Sequence, residues 1–255
     1  MKFFSKTMLL ALCACAPATL WADCKALPGY DKLKPALDQA VAADGSGLKL
    51  HMWGTIVDRD GIVCAVAFSG FDRGAEWPGS RVISAQKANT ANAFGLDGLA
   101  LSTANLYAPT QPGGSLFGLQ ESNPVDVSVA YKGPAAKFGT TGDPMVGKAV
   151  GGVNVFGGGL GLYNASRKII GALGVSGDTS CRDHRIAWRV RNNLGLDNVL
   201  TVGGVSGDPQ RPDNMVFDIT DNPNGGTGKS AGGFGHPHCL NVATDGVPNT
   251  LPAVK

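Results

Sequence analysis

The sequence predicts an α+β fold, an antiparallel sheet with helices packed on it, and three observations carry that prediction. Residues 48–68 and 160–175 each read as two strands around a polar turn. Segments 31–43, 80–94 and 181–194 have helical spacing. Their order, helix, hairpin, helix, loop, hairpin, helix, suits antiparallel neighbours rather than a wound parallel sheet.

Taken in chain order, Leu33, Ala36, Leu37, Ala40 and Val41 form the apolar stripe of the first helix, with Asp31 as its cap and Pro35 tolerable only near the first turn. From Leu48 to Val57 the side chains alternate: Leu48, Leu50, Met52, Gly54 and Ile56 face one way, Lys49, His51, Trp53, Thr55 and Val57 the other. Asp58-Arg59-Asp60-Gly61 is the turn, and Ile62 to Phe68 returns as the second strand. Ser80 caps a helix that runs to Phe94 and stops at Gly95. Its face of Val82, Ile83, Ala85, Ala88 and Ala91 is small enough to sit close to a sheet. Residues 96–150 read as loop, with a short helix near Ser102–Tyr107 and strand around Val125–Tyr131. Leu160–Tyr163 and Ile169–Val175 flank the polar turn Asn164–Lys168, and the last helix follows from Cys181 to Leu194, ending at Gly195. Asp178, Thr179 or Ser180 can cap it, with Asp183 in or near its first turn. Residues 200–255, with a short Met215–Ile219 strand, hold too little apolar material for a core of their own and read as an extension of the domain at 23–199.

The chain opens with Lys2 and Lys6 ahead of a short apolar run from Thr7 to Leu20, the pattern of a secretory signal peptide spanning residues 1–22. Cys15 offers an imperfect lipoprotein site as the alternative, and soluble export to the periplasm or the extracellular space is favoured. Without Lys2 and Lys6 the 22 basic residues become 20, against 20 acidic ones. A neutral chain with no basic run gives no electrostatic reason to bind nucleic acid or an anionic membrane. Cys24, Cys64, Cys181 and Cys239 are an even set in an exported chain, so disulfides are expected. Three pairings are open on sequence alone. The favoured one joins Cys181 to Cys239, stapling the tail to the last helix, and Cys24 to Cys64, stapling the N-terminal segment to the sheet.

Four ordered motifs then limit the family. Ser84-Ala85-Gln86-Lys87-Ala88-Asn89-Thr90-Ala91 with Phe94, Gln111 to Leu119, Gly151-Gly152-Val153 and Gly174-Val175-Ser176-Gly177 together resemble the haem-binding family of GlcG, HbpS and PduO C-terminal domains (DUF336-type) over roughly residues 33–198. That resemblance implies a profilin-like fold, non-covalent haem or another small planar ligand, and a tendency to form homo-oligomers. Some relatives carry a histidine on the first helix; residues 31–43 here carry none.

Haem needs an apolar slot, partners for its propionates and a ligand on iron. The candidates are His51 on the first strand, His184 beside Asp183 on the last helix, Lys87 from the middle helix, and the backbone N–H groups after Gly177. These imply a glycine-lined cleft between the Lys87 helix, the sheet and the start of the last helix. His236 and His238, next to Cys239, form a separate candidate metal pair, although a disulfide would remove the thiolate. No Cys-x-x-Cys-His motif is present for covalent haem. Gly142, Gly147 and Lys148 have the spacing of a phosphate loop, but Ala149 replaces the hydroxyl residue that magnesium requires. Ser176 lacks the spacing of a hydrolase elbow. Haem capture, storage or redox sensing without turnover is the leading reading. A small-molecule enzyme or accessory protein of hydroxy-acid metabolism is the alternative, and a self-assembling structural module the third.

Overall fold

The computed structural model describes residues 23–226, 228–240 and 251–255. The expected signal peptide lies outside them, as do residues 241–250 of the extension. Strands β1 (Trp53–Asp58), β2 (Val63–Phe68), β3 (Gly159–Tyr163) and β4 (Ile169–Ser176) form one sheet in the order β2-β1-β4-β3. Every pairing in it is antiparallel. Helix α2 (Ser80–Phe94) covers one face, while α1 (Tyr30–Ala42) and α5 (Ser180–Asn193) cover the other. The α+β class read from the sequence is therefore the class observed.

Strand alternation sorts the core. Met52, Ile56, Leu160, Leu162, Leu173 and Val175 pack with Leu33 and Leu37 of α1 and with Ile186, Ala187 and Val190 of α5. On the opposite face Trp53, Val57, Val66, Phe68 and Ala172 pack with Val82, Ala85, Ala88 and Ala91 of α2. The helix comes close because β4 offers no side chain at Gly174: a methyl group there would overlap the Ser84 carbonyl oxygen and the Ala88 amide nitrogen.

Several local expectations change. The first strand begins at Trp53 rather than Leu48, because the Leu48 and Leu50 amides donate to the Asp178 carboxylate and not to a neighbouring strand. Gly29 and Gly79 occupy the cap positions of α1 and α2, leaving Asp31 and Ser80 inside the first turns. Thr179 caps α5 by accepting the Arg182 amide. Around Val125–Tyr131 the chain forms the short helix α4 (Val127–Ala130), started by Asp126 accepting the Ser128 amide, and only Val125 bridges to Gly151. The short helix near Ser102 is a 3-10 turn at Thr103–Leu106 running into α3 (Tyr107–Thr110). The C-terminal strand is limited to β5 (Ile219–Thr220) paired with β6 (Lys229–Ser230).

Parts of the extension pack on the α1 and α5 side of the sheet. Asp213 makes a two-pronged ion pair with Arg191 of α5, at 2.5 and 2.9 Å, and both side chains are fully buried. Leu251 and Val254 join the α5 side of the core, and the Trp188 indole donates to the Pro252 carbonyl at 2.9 Å.

Candidate functional site

Both favoured disulfides are formed: Cys24–Cys64 ties the N-terminal segment to β2, and Cys181–Cys239 ties the tail to the first turn of α5. The cleft expected between α2, the sheet and α5 is filled. Lys87 is 1% exposed, and its Nζ donates to Asp183 Oδ2 at 2.7 Å and to the Val175 carbonyl at 3.2 Å. Asp183 Oδ1 accepts the Asp178 amide, so the carboxylate is engaged on both oxygens. Burial pushes Asp183 up to about 6 and Lys87 down, each opposed by the attraction of the other. Gly177 is pressed against the His51 carbonyl and Met52, and a side chain on Gly158 would meet the Val175 carbonyl, Asp183 and the Lys87 ammonium. These glycines admit protein, not a ligand.

His184 is likewise interior, 1% exposed, with the Asn214 side chain beside it but no well-formed hydrogen bond at either ring nitrogen. Burial lowers it to about 4, so it is neutral at physiological pH. His236 is buried, with Nε2 3.2 Å from Ser180 Oγ, whereas the His238 ring stacks on Phe217 at 4.3 Å. Cys181 and Cys239, not His238, are the ligand-bearing groups near His236.

His51 is the sequence candidate that lies at an open surface. It is half-buried, two residues ahead of β1 rather than on the strand expected from the alternation, with Nδ1 3.1 Å from Ser69 Oγ. Its ring lies edge-on to Phe68 and Phe71, at 6.2 and 6.3 Å between centroids. Those two rings line a cavity of about 460 Å³ together with Trp53, Arg73, Ala135, Ala136 and Phe138, a size within the usual range for small-molecule sites. Trp53 and Phe68, from neighbouring strands, stack at 4.5 Å with their planes 15° apart. Phe71 is 98% exposed. A second cavity of about 120 Å³ shares Trp53, Arg73 and Phe138 and adds Glu76, Tyr131, Pro78, Arg81 and Val82.

The charges around this cleft are unequal in freedom. Arg81 is buried, gripped by Asp143 and the Ala130 carbonyl, and sits 3.7 Å over the Phe138 ring. Arg73 is exposed, held by one bond to the Ala135 carbonyl. Glu76 is 6% exposed, and neither carboxyl oxygen makes a well-formed hydrogen bond. Burial pushes it up to about 7, against a weaker downward pull from the nearby Trp53 indole and Ser80 side chains. Sequence reading passed over Phe71, Arg73, Glu76 and Phe138. The available signal was an aromatic pair, Phe71 and Trp77, in the Gly-containing loop directly after a strand.

The fold and site define a helix-sandwiched antiparallel sheet with an aromatic cleft beside a histidine just ahead of the first strand. The family model described as "Haem degrading protein HbpS-like" matches residues 33–191, and the chain belongs to that HbpS-like family. No curated protein matches the sequence. Among solved structures, the chain is 22% identical to the Klebsiella pneumoniae protein ORFY, over 64% of this chain and 86% of that one, with a TM-score of 0.44. It is 23% identical to a PduOC:heme complex, over 64% and 90%, with a TM-score of 0.44. It is 15% identical to a double mutant of Streptomyces reticuli HbpS, over 74% and 98%, with a TM-score of 0.43.

Proposed function

We propose that this chain is an exported haem-binding protein, holding haem or a related flat tetrapyrrole without a covalent bond, for capture, storage or redox sensing. The observation that carries the reading is Phe71, a fully exposed phenyl ring standing at an aromatic cavity beside a half-buried histidine. A bare aromatic group in water is unfavourable by roughly 1.5–3 kcal/mol relative to burial, and it recovers that when a flat apolar ligand covers it.

The residues fit such a ligand. Trp53, Phe68, Phe71 and Phe138 would hold the macrocycle, and Arg73, whose charge no carboxylate offsets among the contacts described above, would hold a propionate. His51 would supply the iron ligand through Nε2 in the tautomer whose Nδ1–H donates to Ser69 Oγ, an oxygen that also accepts the Met52 amide at 2.8 Å. Bound haem would supply redox and gas-ligand chemistry at iron. Membership of a family described as haem-degrading supports the ligand class, and the two disulfides support an oxidising compartment.

Adding hemin to the purified chain and recording the Soret band tests the reading. Saturable binding with a shifted band is the expected result. A spectrum that stays that of free hemin at all ratios overturns it.

A further inference from the structure

The two disulfides sit in opposite electrostatic surroundings. Cys24 Sγ is 3.8 Å from Asp58 Oδ2, and a neighbouring carboxylate disfavours a thiolate. Cys181 and Cys239 meet at the N-terminus of α5, a 14-residue helix. There Cys239 Sγ accepts the Cys181 backbone N–H at 3.0 Å and lies 3.2 Å from Ser180 Oγ. A helix N-terminus and hydrogen-bond donors both stabilise sulfur as a thiolate.

A histidine completes the group. The two sulfurs and a ring nitrogen of His236 all lie within 4.8 Å of one another. His236 Nδ1 is 2.7 Å from the Pro237 carbonyl oxygen, which can only accept, so Nδ1 carries a proton and in the neutral ring Nε2 has the lone pair. Nε2 is 3.2 Å from the Ser180 hydroxyl, the same hydroxyl that borders the Cys239 sulfur. Second-group fixation of a ring tautomer is what metal-binding histidines use.

We propose that Cys181–Cys239 is a reducible disulfide whose dithiol form, with His236 Nε2, binds a thiophilic metal ion such as Zn²⁺ or Cu⁺. The reductant is a dithiol. Its thiolate attacks the half-buried Cys239 sulfur, the Cys181–Cys239 bond breaks, and Cys181 leaves as a thiolate at the helix N-terminus. The second thiol of the reductant then displaces Cys239, so the reductant becomes a disulfide and two electrons pass to the protein. Metal binding displaces the protons that remain on sulfur. Two thiolates and one imidazole leave a fourth position of a tetrahedral ion for water or Ser180. The inference is independent of the haem reading.

Stepwise reduction of the full chain, with thiols trapped by a maleimide and located by peptide mass spectrometry, tests the first half. Cys181 and Cys239 are expected to be labelled before Cys24 and Cys64; simultaneous or reversed labelling overturns the proposal. Zn²⁺ titration of the phosphine-reduced chain tests the second. One ion per reduced chain and none per oxidised chain is expected, with affinity falling at least about tenfold in His236→Gln. A Cys24→Ala/Cys64→Ala variant should bind as the parent does. Absent uptake by the reduced parent, unchanged affinity in His236→Gln, or loss of uptake in the double variant each overturns it.

Discussion

Lys87 of α2 and Asp183 of α5 join across the end of the sheet, Nζ to Oδ2 at 2.7 Å, both side chains 2% exposed. The pair links the two helical layers that the sheet otherwise separates. Removing one partner leaves a buried charge uncompensated, so Lys87→Met is expected to cost about 3–5 kcal/mol in urea unfolding. Adding Asp183→Leu to the same chain should return most of that loss. A single variant within about 0.5 kcal/mol of the parent would show that the pair is not buried as described.

Close packing of α2 on β4 depends on Gly174. Gly174→Ala places a methyl group on the α2 backbone at Ser84 and Ala88, which cannot swing away as a side-chain end could. A loss of about 1–3 kcal/mol is expected. Gly98→Ala, which meets nothing within 4 Å, is the control and should change little. Equal losses in the two variants would contradict the packing argument.

The two hairpins and the three long helices were legible in the sequence, because hydrophobic spacing and turn residues act within a few positions of each other; the disulfide pairing, between cysteines 40 and 58 positions apart, was one of three the sequence left open. The Leu48 error shows the limit: those residues alternate as a strand does, but their amides are claimed by Asp178, about 130 positions away. The Lys87 pairing was hidden for the same reason, since its acid lies 96 residues on. The cleft was least legible of all. Trp53, Phe71 and Phe138 come from a strand, a loop and a distant turn, and no spacing rule connects them.

Stability against pH should carry opposite signatures from His184 and Glu76. His184 falls from an ordinary 6.5 to about 4 in the fold, so between those values the unfolded chain binds more protons. Its contribution is complete above 6.5 and is lost as pH drops toward 4, by at most about 3 kcal/mol. His184→Gln should lose less melting temperature than the parent between pH 7 and pH 4.5. An equal or larger loss would contradict this.

Glu76 runs the other way. Its carboxyl rises from 4.5 to about 7, so the folded chain binds more protons in that window and stability declines as pH increases through it. Glu76→Gln is expected to be about 1–2 kcal/mol more stable than the parent at pH 8 and nearly equal to it at pH 5. A constant difference at both pH values would exclude the buried carboxyl as its source.

The central claim is that a planar ligand sits on the Trp53, Phe68 and Phe71 face, with His51 on its metal. Hemin titrations of the parent, His51→Ala and Phe71→Ser, followed at the Soret band, address it most directly. The account predicts a displaced Soret maximum in His51→Ala and an affinity at least about tenfold weaker in Phe71→Ser, a loss of roughly 1.4 kcal/mol. Parent-like spectra and affinities in both variants would contradict it.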